Sequence, residues 1–151
     1  MVETVNRQCV LDFLKAFYSG DVEGTLACCD DDFDTITYAP VELFPHLGHK
    51  HGKPWIPDAI ETQKKRYSSR NYALDFIAVD GARVATMTRV ALTKRNDERV
   101  VQFENAEFFT LTNGRIREHR SFFDSFDLVQ QVLGHDLTES FAATVRGAML
   151  R

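Results

Sequence analysis

Two residues late in the chain have the types and spacing for proton chemistry. Residues 99–111 and 115–123 are rich in Val, Thr and Phe and read as strands joined by Asn113-Gly114. Side chains alternate along a strand, so Asn105, Glu107, Phe109 and Leu111 share one face of the first. His119, Ser121 and Phe123 share one face of the second. Adjacent strands can bring Glu107 and His119 within hydrogen-bond reach. A carboxyl in an apolar pocket is a candidate acid or base, because burial disfavours its charged form. The same two residues also suit a structural buried pair, satisfied by Arg89 or Asn105. A second group of imidazoles, His46, His49 and His51, surrounds Gly48. Three imidazoles can hold zinc, but H-x-x-H-x-H lies here on no regular element, and no acid or cysteine follows nearby. No metal site is assigned. The segment reads as a plain loop or as a pocket-mouth loop with one functional histidine.

The elements that position these residues follow from periodicity. Val2, Val5, Cys9, Phe13 and Phe17 make an apolar stripe at helical spacing, ended by Gly20. Asp21 can cap a second helix running through Cys29, closed by Asp30-Asp31-Asp32. Residues 33–38 alternate as a short strand. Ile36 directs the Asp34/Tyr38 set inward, so both are expected on the pocket wall. Residues 41–52 read as a loop. Trp55, Ile56, Ile60 and Tyr67 mark the inner side of a third helix, with Pro54 tolerated at its start. Strands follow over 72–79, 83–94, 99–111 and 115–123, separated by the turn signals Asp80-Gly81, 95–98 and Asn113-Gly114. Asp124 reads as the cap of a helix from Ser125 that stops at Gly134. Helices on one face of an antiparallel sheet make an α+β architecture, with a pocket between the layers. Residues 1–135 form the domain and residues 136–151 a helical or mobile tail.

Composition excludes several classes of function. A net charge of −4 lacks the basic face a nucleic-acid binder needs. No stretch reaches the ~18 apolar residues of a membrane span. Cys9, Cys28 and Cys29 form no CxxC and read as reduced thiols, which points to the cytoplasm. The 12 phenylalanines suit both a core and an apolar pocket.

Several segments in this order resemble the nuclear transport factor 2-like superfamily. Phe17-Tyr18-Ser19-Gly20-Asp21 is similar to the opening of that superfamily, and Gly52-Lys53-Pro54-Trp55-Ile56 to the start of its third helix. Residues 113–120, Asn-Gly-Arg-Ile-Arg-Glu-His-Arg, with Phe123-Asp124 and Gln131-Val132-Leu133-Gly134, resemble the last hairpin of SnoaL-like polyketide cyclases. The resemblance implies a cone-shaped curved antiparallel sheet with helices on its concave face, enclosing a pocket. It also implies a small apolar ligand, no organic cofactor, and a homodimer formed through the outer sheet face.

Carried over residue by residue, the resemblance divides fold from mechanism. The cyclases place an Asp just after the His-Arg of the last strand; here that residue is Ser121. Their pocket His falls on Glu107. The Arg of limonene-type epoxide hydrolases matches Arg89, but their two acids fall on Ala91 and Ser121. Ketosteroid isomerases pair an Asp base with a Tyr and a protonated Asp. Here the base falls on Ala39, the Tyr on Phe13 and the neutral acid near Glu107.

Two readings therefore stand. One is an isomerase, cyclase or dehydratase that moves a proton with Glu107 and His119. The other is a ligand-binding or dimeric module without the family acid or base. In both, the expected ligand contacts are Phe13, Asp34, Tyr38, Trp55, Arg89, Asn105, Ser121 and Phe123.

Overall fold

The computed structural model describes residues 1–149; residues 150–151, the end of the expected tail, lie outside them. Helix α1 spans Val2–Ser19, α2 Val22–Ala27, α3 Trp55–Arg66, α4 Ser125–Leu133 and α5 Thr138–Met149. The strands are β1 Cys29–Thr37, β2 Gly48–His51, β3 Tyr67–Asp80, β4 Arg83–Lys94, β5 Val100–Thr112 and β6 Arg115–Phe122. They form one curved sheet in the order β2-β1-β6-β5-β4-β3.

Local chemistry explains most of these boundaries. Asn113 and Gly114 have φ of 51° and 73°, the pair of positive values that a two-residue hairpin turn requires. Gly20 ends α1 in the left-handed region, and the Asp21 carboxylate then accepts from the Gly24 N–H at 2.9 Å to start α2. Asp124 caps α4 in the same way, accepting from the Asp127 N–H at 3.0 Å.

Three local expectations are corrected. First, α2 stops at Ala27, and β1 begins at Cys29 rather than Phe33. Asp30, Asp31 and Asp32 therefore lie in a strand, because Cys29 pairs with Ile116 of β6. Second, the expected loop contains β2, since Gly48–His51 pairs antiparallel with Asp34–Thr37. Third, the buried stripe of α1 is Asn6, Val10, Phe13, Leu14 and Ala16, while Val2 and Val5 are exposed. The stripe is rotated because Asn6 reaches the β3–β4 turn and donates to the Gly81 carbonyl at 3.0 Å.

The interior is two apolar clusters rather than one. Val10, Phe13 and Leu14 of α1 and Ile56 and Ile60 of α3 pack on Phe33, Val84, Phe109, Leu111 and Ile116 of the sheet. A second cluster joins Phe44, Tyr67, Val90, Leu92 and Val101 to Leu128 and Val129 of α4. Tyr18 and Tyr72 touch both clusters. The candidate site lies at this junction, where the two clusters leave space against the sheet.

Candidate functional site

Register places the site. In β5 and β6, Glu107 is opposite Ser121 and Phe109 opposite His119. Strand β1 joins β6 in parallel, which sets Thr35 beside His119 and Thr37 beside Ser121. Strand β4 adds Thr86 opposite Glu107 and Thr88 opposite Asn105. The concave face thus carries a polar stripe across four strands, and each of these polar side chains is buried. Buried polar groups are tolerated when hydrogen-bonded, so the partners matter.

The stripe contains a hydrogen-bonded chain. The Thr35 Oγ1 lies 2.8 Å from His119 Nδ1, and His119 Nε2 lies 2.8 Å from Glu107 Oε1. Glu107 and His119 side chains are each only 6% exposed. The His119 ring packs against Phe13, Phe33 and Phe109, with centroids 5.7, 6.5 and 5.0 Å away. That packing fixes the imidazole, so both nitrogens hold their partners. In the neutral tautomer the Thr35 hydroxyl donates to Nδ1, and the Nε2–H donates to Glu107. Beside this chain, Ser121 Oγ donates to Asn105 Oδ1 at 2.7 Å.

Glu107 has a second oxygen with no such partner. Its Oε2 is buried without a hydrogen bond among the described residues, and Glu107 lines the pocket. The pocket walls are largely aromatic: Phe13, Phe17, Tyr18, Phe44, Trp55, Tyr67, Phe103 and Phe123. Burial, then the Glu107 charge, pushes the Tyr18 phenol above its ordinary range, so its hydroxyl keeps its proton. The enclosed space is ≈ 90 Å³, below the ~150 Å³ of a dry cavity that admits benzene. The pocket is partly open, so a molecule larger than this enclosed space can sit against its lining with part of its surface at the mouth.

Of the expected site residues, the structure brings together Glu107, His119, Phe13, Trp55, Asn105, Ser121 and Phe123. It does not bring Asp34, Tyr38 or Arg89. Asp34 lies on the outer face, 2.7 Å from His49, 3.4 Å from His51 and 2.9 Å from Arg120. Tyr38 is 47% exposed and stacks on Phe122, and Arg89 pairs with Asp75 at 2.9 Å on the outer face. The inward set of β1 is Thr35 and Thr37. Ile36 gave the wrong face because the outer side of this sheet is itself partly apolar.

The three histidines separate. His49 and His51 sit on β2 beside Asp34, whereas His46 lines the pocket. Among the described residues no cluster of His, Cys, Asp or Glu is placed to hold a metal. Burial, then the nearby positive charges of Arg66 and Lys50, pushes His46 down to about 4. The indole of Trp55 donates to the His46 carbonyl at 2.7 Å, which pins that segment over α3.

Sequence reasoning missed Thr35, Tyr18 and Gln63. Gln63 follows Ile56 and Ile60 at helical spacing, so a polar residue on an apolar stripe was the signal available.

A family model described as SnoaL-like domain matches residues 10–119. The chain belongs to this family. SnoaL-like and nuclear transport factor 2-like proteins share the cone of sheet and helices described above. A proposed isomerase from Rhodopseudomonas palustris is similar at 26% identity and a TM-score of 0.77, with 89% of this chain and 100% of that chain covered. A proposed SnoaL-like polyketide cyclase from Jannaschia sp. gives 15% identity and 0.74, with coverage of 86% and 92%. An LEH-like epoxide hydrolase from M. tuberculosis gives 24% and 0.69, with coverage of 93% and 98%. The last two likenesses concern the fold alone. No curated protein sequence matches this chain. No helix among the described residues is long and apolar enough to cross a membrane.

Proposed function

We propose that this SnoaL-like domain binds a small, largely apolar molecule in the aromatic pocket and moves a proton on it, without an organic cofactor. The observation that carries the reading is the Thr35–His119–Glu107 chain, which leaves Glu107 Oε2 free at the pocket. Glu107 is the base: it takes a proton from a carbon made acidic by a neighbouring carbonyl. His119 holds and orients it, and the same oxygen returns the proton at a second carbon. Bond-making and bond-breaking balance as an isomerisation; on a substrate with a hydroxyl beside the deprotonated carbon, Glu107 instead passes the proton to that hydroxyl, the C–O bond breaks, water leaves, and the overall change is a dehydration. The Tyr18 hydroxyl and the Asn105 amide are the available donors for the oxygen on which charge develops.

A second reading is favoured by Ser121. It stands where the related cyclases have an acid and is engaged with Asn105, which suits a binding protein without turnover. Comparison of wild type with Glu107→Gln decides between them. Enzymatic function requires that the variant binds ligand and loses turnover; equal rates in both proteins sink the proton-transfer reading. The outer face carries three exposed aromatic rings, Tyr38 stacked on Phe122 and Phe108 edge-on to Phe122, which supports a homodimer through that face.

A further inference from the structure

The pocket has unmet hydrogen-bonding capacity on two sides. Three residues that line it each carry a buried side-chain atom with no partner among the described residues: Glu107 Oε2, Gln63 Oε1 and His46 Nδ1. An unpaired buried polar atom is destabilising, because it has given up its water partners without replacement. Three around one cavity is therefore a pattern that a ligand or water must relieve.

Their placement is informative. Glu107 stands on β5, in the sheet floor. Gln63 stands on α3, and His46 on the segment that Trp55 pins to that helix. The charges that act on His46 are Arg66 and Lys50, at the end of α3 and on β2, so its surroundings differ from those of Glu107. Between the two poles lie aromatic walls.

The chemistry of the poles selects a ligand. Gln63 Oε1 only accepts, and ionised Glu107 only accepts. His46, kept neutral, completes its pole as donor or acceptor. Among the described residues no Lys or Arg lines the pocket; Arg66 and Lys50 act on the His46 pole from outside the lining, and the Glu107 carboxylate in the floor repels a carboxylate or phosphate.

Resting on the reading of this pocket as the ligand site, we infer that it takes a neutral molecule with an apolar body and a hydrogen-bond donor at each of two positions. One donor reaches Glu107, and the other reaches the Gln63–His46 pole. Gln63 and His46 are then specificity-determining residues, distinct from the proton-transfer pair.

The single tryptophan, Trp55, lines the pocket and reports binding by its fluorescence. The probes are hydroquinone, resorcinol, phenol, toluene and benzoate, titrated into the full chain. At least one diol is expected to bind about tenfold tighter than phenol, the order of one net hydrogen bond; benzoate is expected not to bind. Gln63→Met should bring that diol to the level of phenol, while Gln63→Glu, which retains an acceptor oxygen, should preserve the preference. His46→Leu should also weaken the diol and leave toluene unchanged, which guards against misfolding of one variant. Equal binding of phenol and both diols, or tight binding of benzoate, overturns the ligand class and leaves the pocket reading standing. Binding of no probe to wild type overturns both. Loss of turnover in Glu107→Gln is a separate measurement and does not depend on either.

Discussion

The sheet carries an acid–imidazole pair on each of its faces, and the two differ in everything except length. Inside, His119 Nε2 is 2.8 Å from Glu107, and both side chains are 6% exposed. Outside, His49 Nε2 is 2.7 Å from Asp34, with exposures of 63% and 20%. The inner acid has a free oxygen at a cavity. The outer acid is shared among His49, His51 and Arg120. Distance alone therefore says nothing about function. A solvated pair gains little, because water screens its charges and its partners can leave. A buried pair must keep its partners, and its reactivity is not diluted by water.

The largest expected effect is catalytic. Glu107→Gln should lower turnover by roughly 10²–10⁴-fold, the ordinary contribution of a general base, while Asp34→Asn should leave it unchanged. Rates on a substrate found by screening would check this; a drop in the Asp34 variant would break the contrast.

Next comes stability. His119→Ala leaves Glu107 buried and alone, and should cost about 3–5 kcal/mol in denaturant unfolding. His49→Ala should cost about 0.2–1 kcal/mol, the range for an exposed pair. Comparable losses would mean that burial does not separate the two faces.

Acid should act through His46, on the inner side. Its folded value of about 4 lies below its ordinary 6.5. Between these values the unfolded chain takes up a proton that the folded chain refuses, so stability declines as pH falls from 6.5 toward 4. His46→Gln should flatten that limb of the stability–pH curve. Asp34 acts in the same direction at lower pH. Its slight burial raises its carboxyl, but hydrogen bonds to His49 and His51 and the Arg120 charge outweigh this and lower it. Its contribution is held above the ordinary carboxylate range and lost as pH falls through it.

The smallest effect is salt. Raising NaCl to about 1 M shortens the screening length to ~3 Å. It should reduce the few tenths of a kcal/mol that the outer pair contributes and leave the cost of His119→Ala unchanged.

Legibility in the sequence was uneven for physical reasons. The Asn113-Gly114 turn and the period of two placed Glu107, His119, Ser121 and Asn105 on one buried face, because each inference used only adjacent antiparallel strands. Asp34 and Tyr38 went to the wrong face. The orientation of β1 depends on its parallel pairing with β6, and the Thr35–His119 hydrogen bond joins residues 84 positions apart. Arg89 was misplaced by carrying over a motif position; here Asp75 on the neighbouring strand holds it outside.

By itself, then, the sequence determined the helices and long strands though not β2, the hairpin turns, the family and the co-facial pair of the candidate site. Those properties follow from local backbone preference and from side-chain periodicity, which neighbouring residues set. The tertiary structure alone decided which histidine enters the pocket, that Thr35 completes the chain to Glu107, and that Gln63 lines the cavity. Those contacts join separate segments across the cone, and their geometry exists only once α3, β1 and the connecting segment have packed against the sheet.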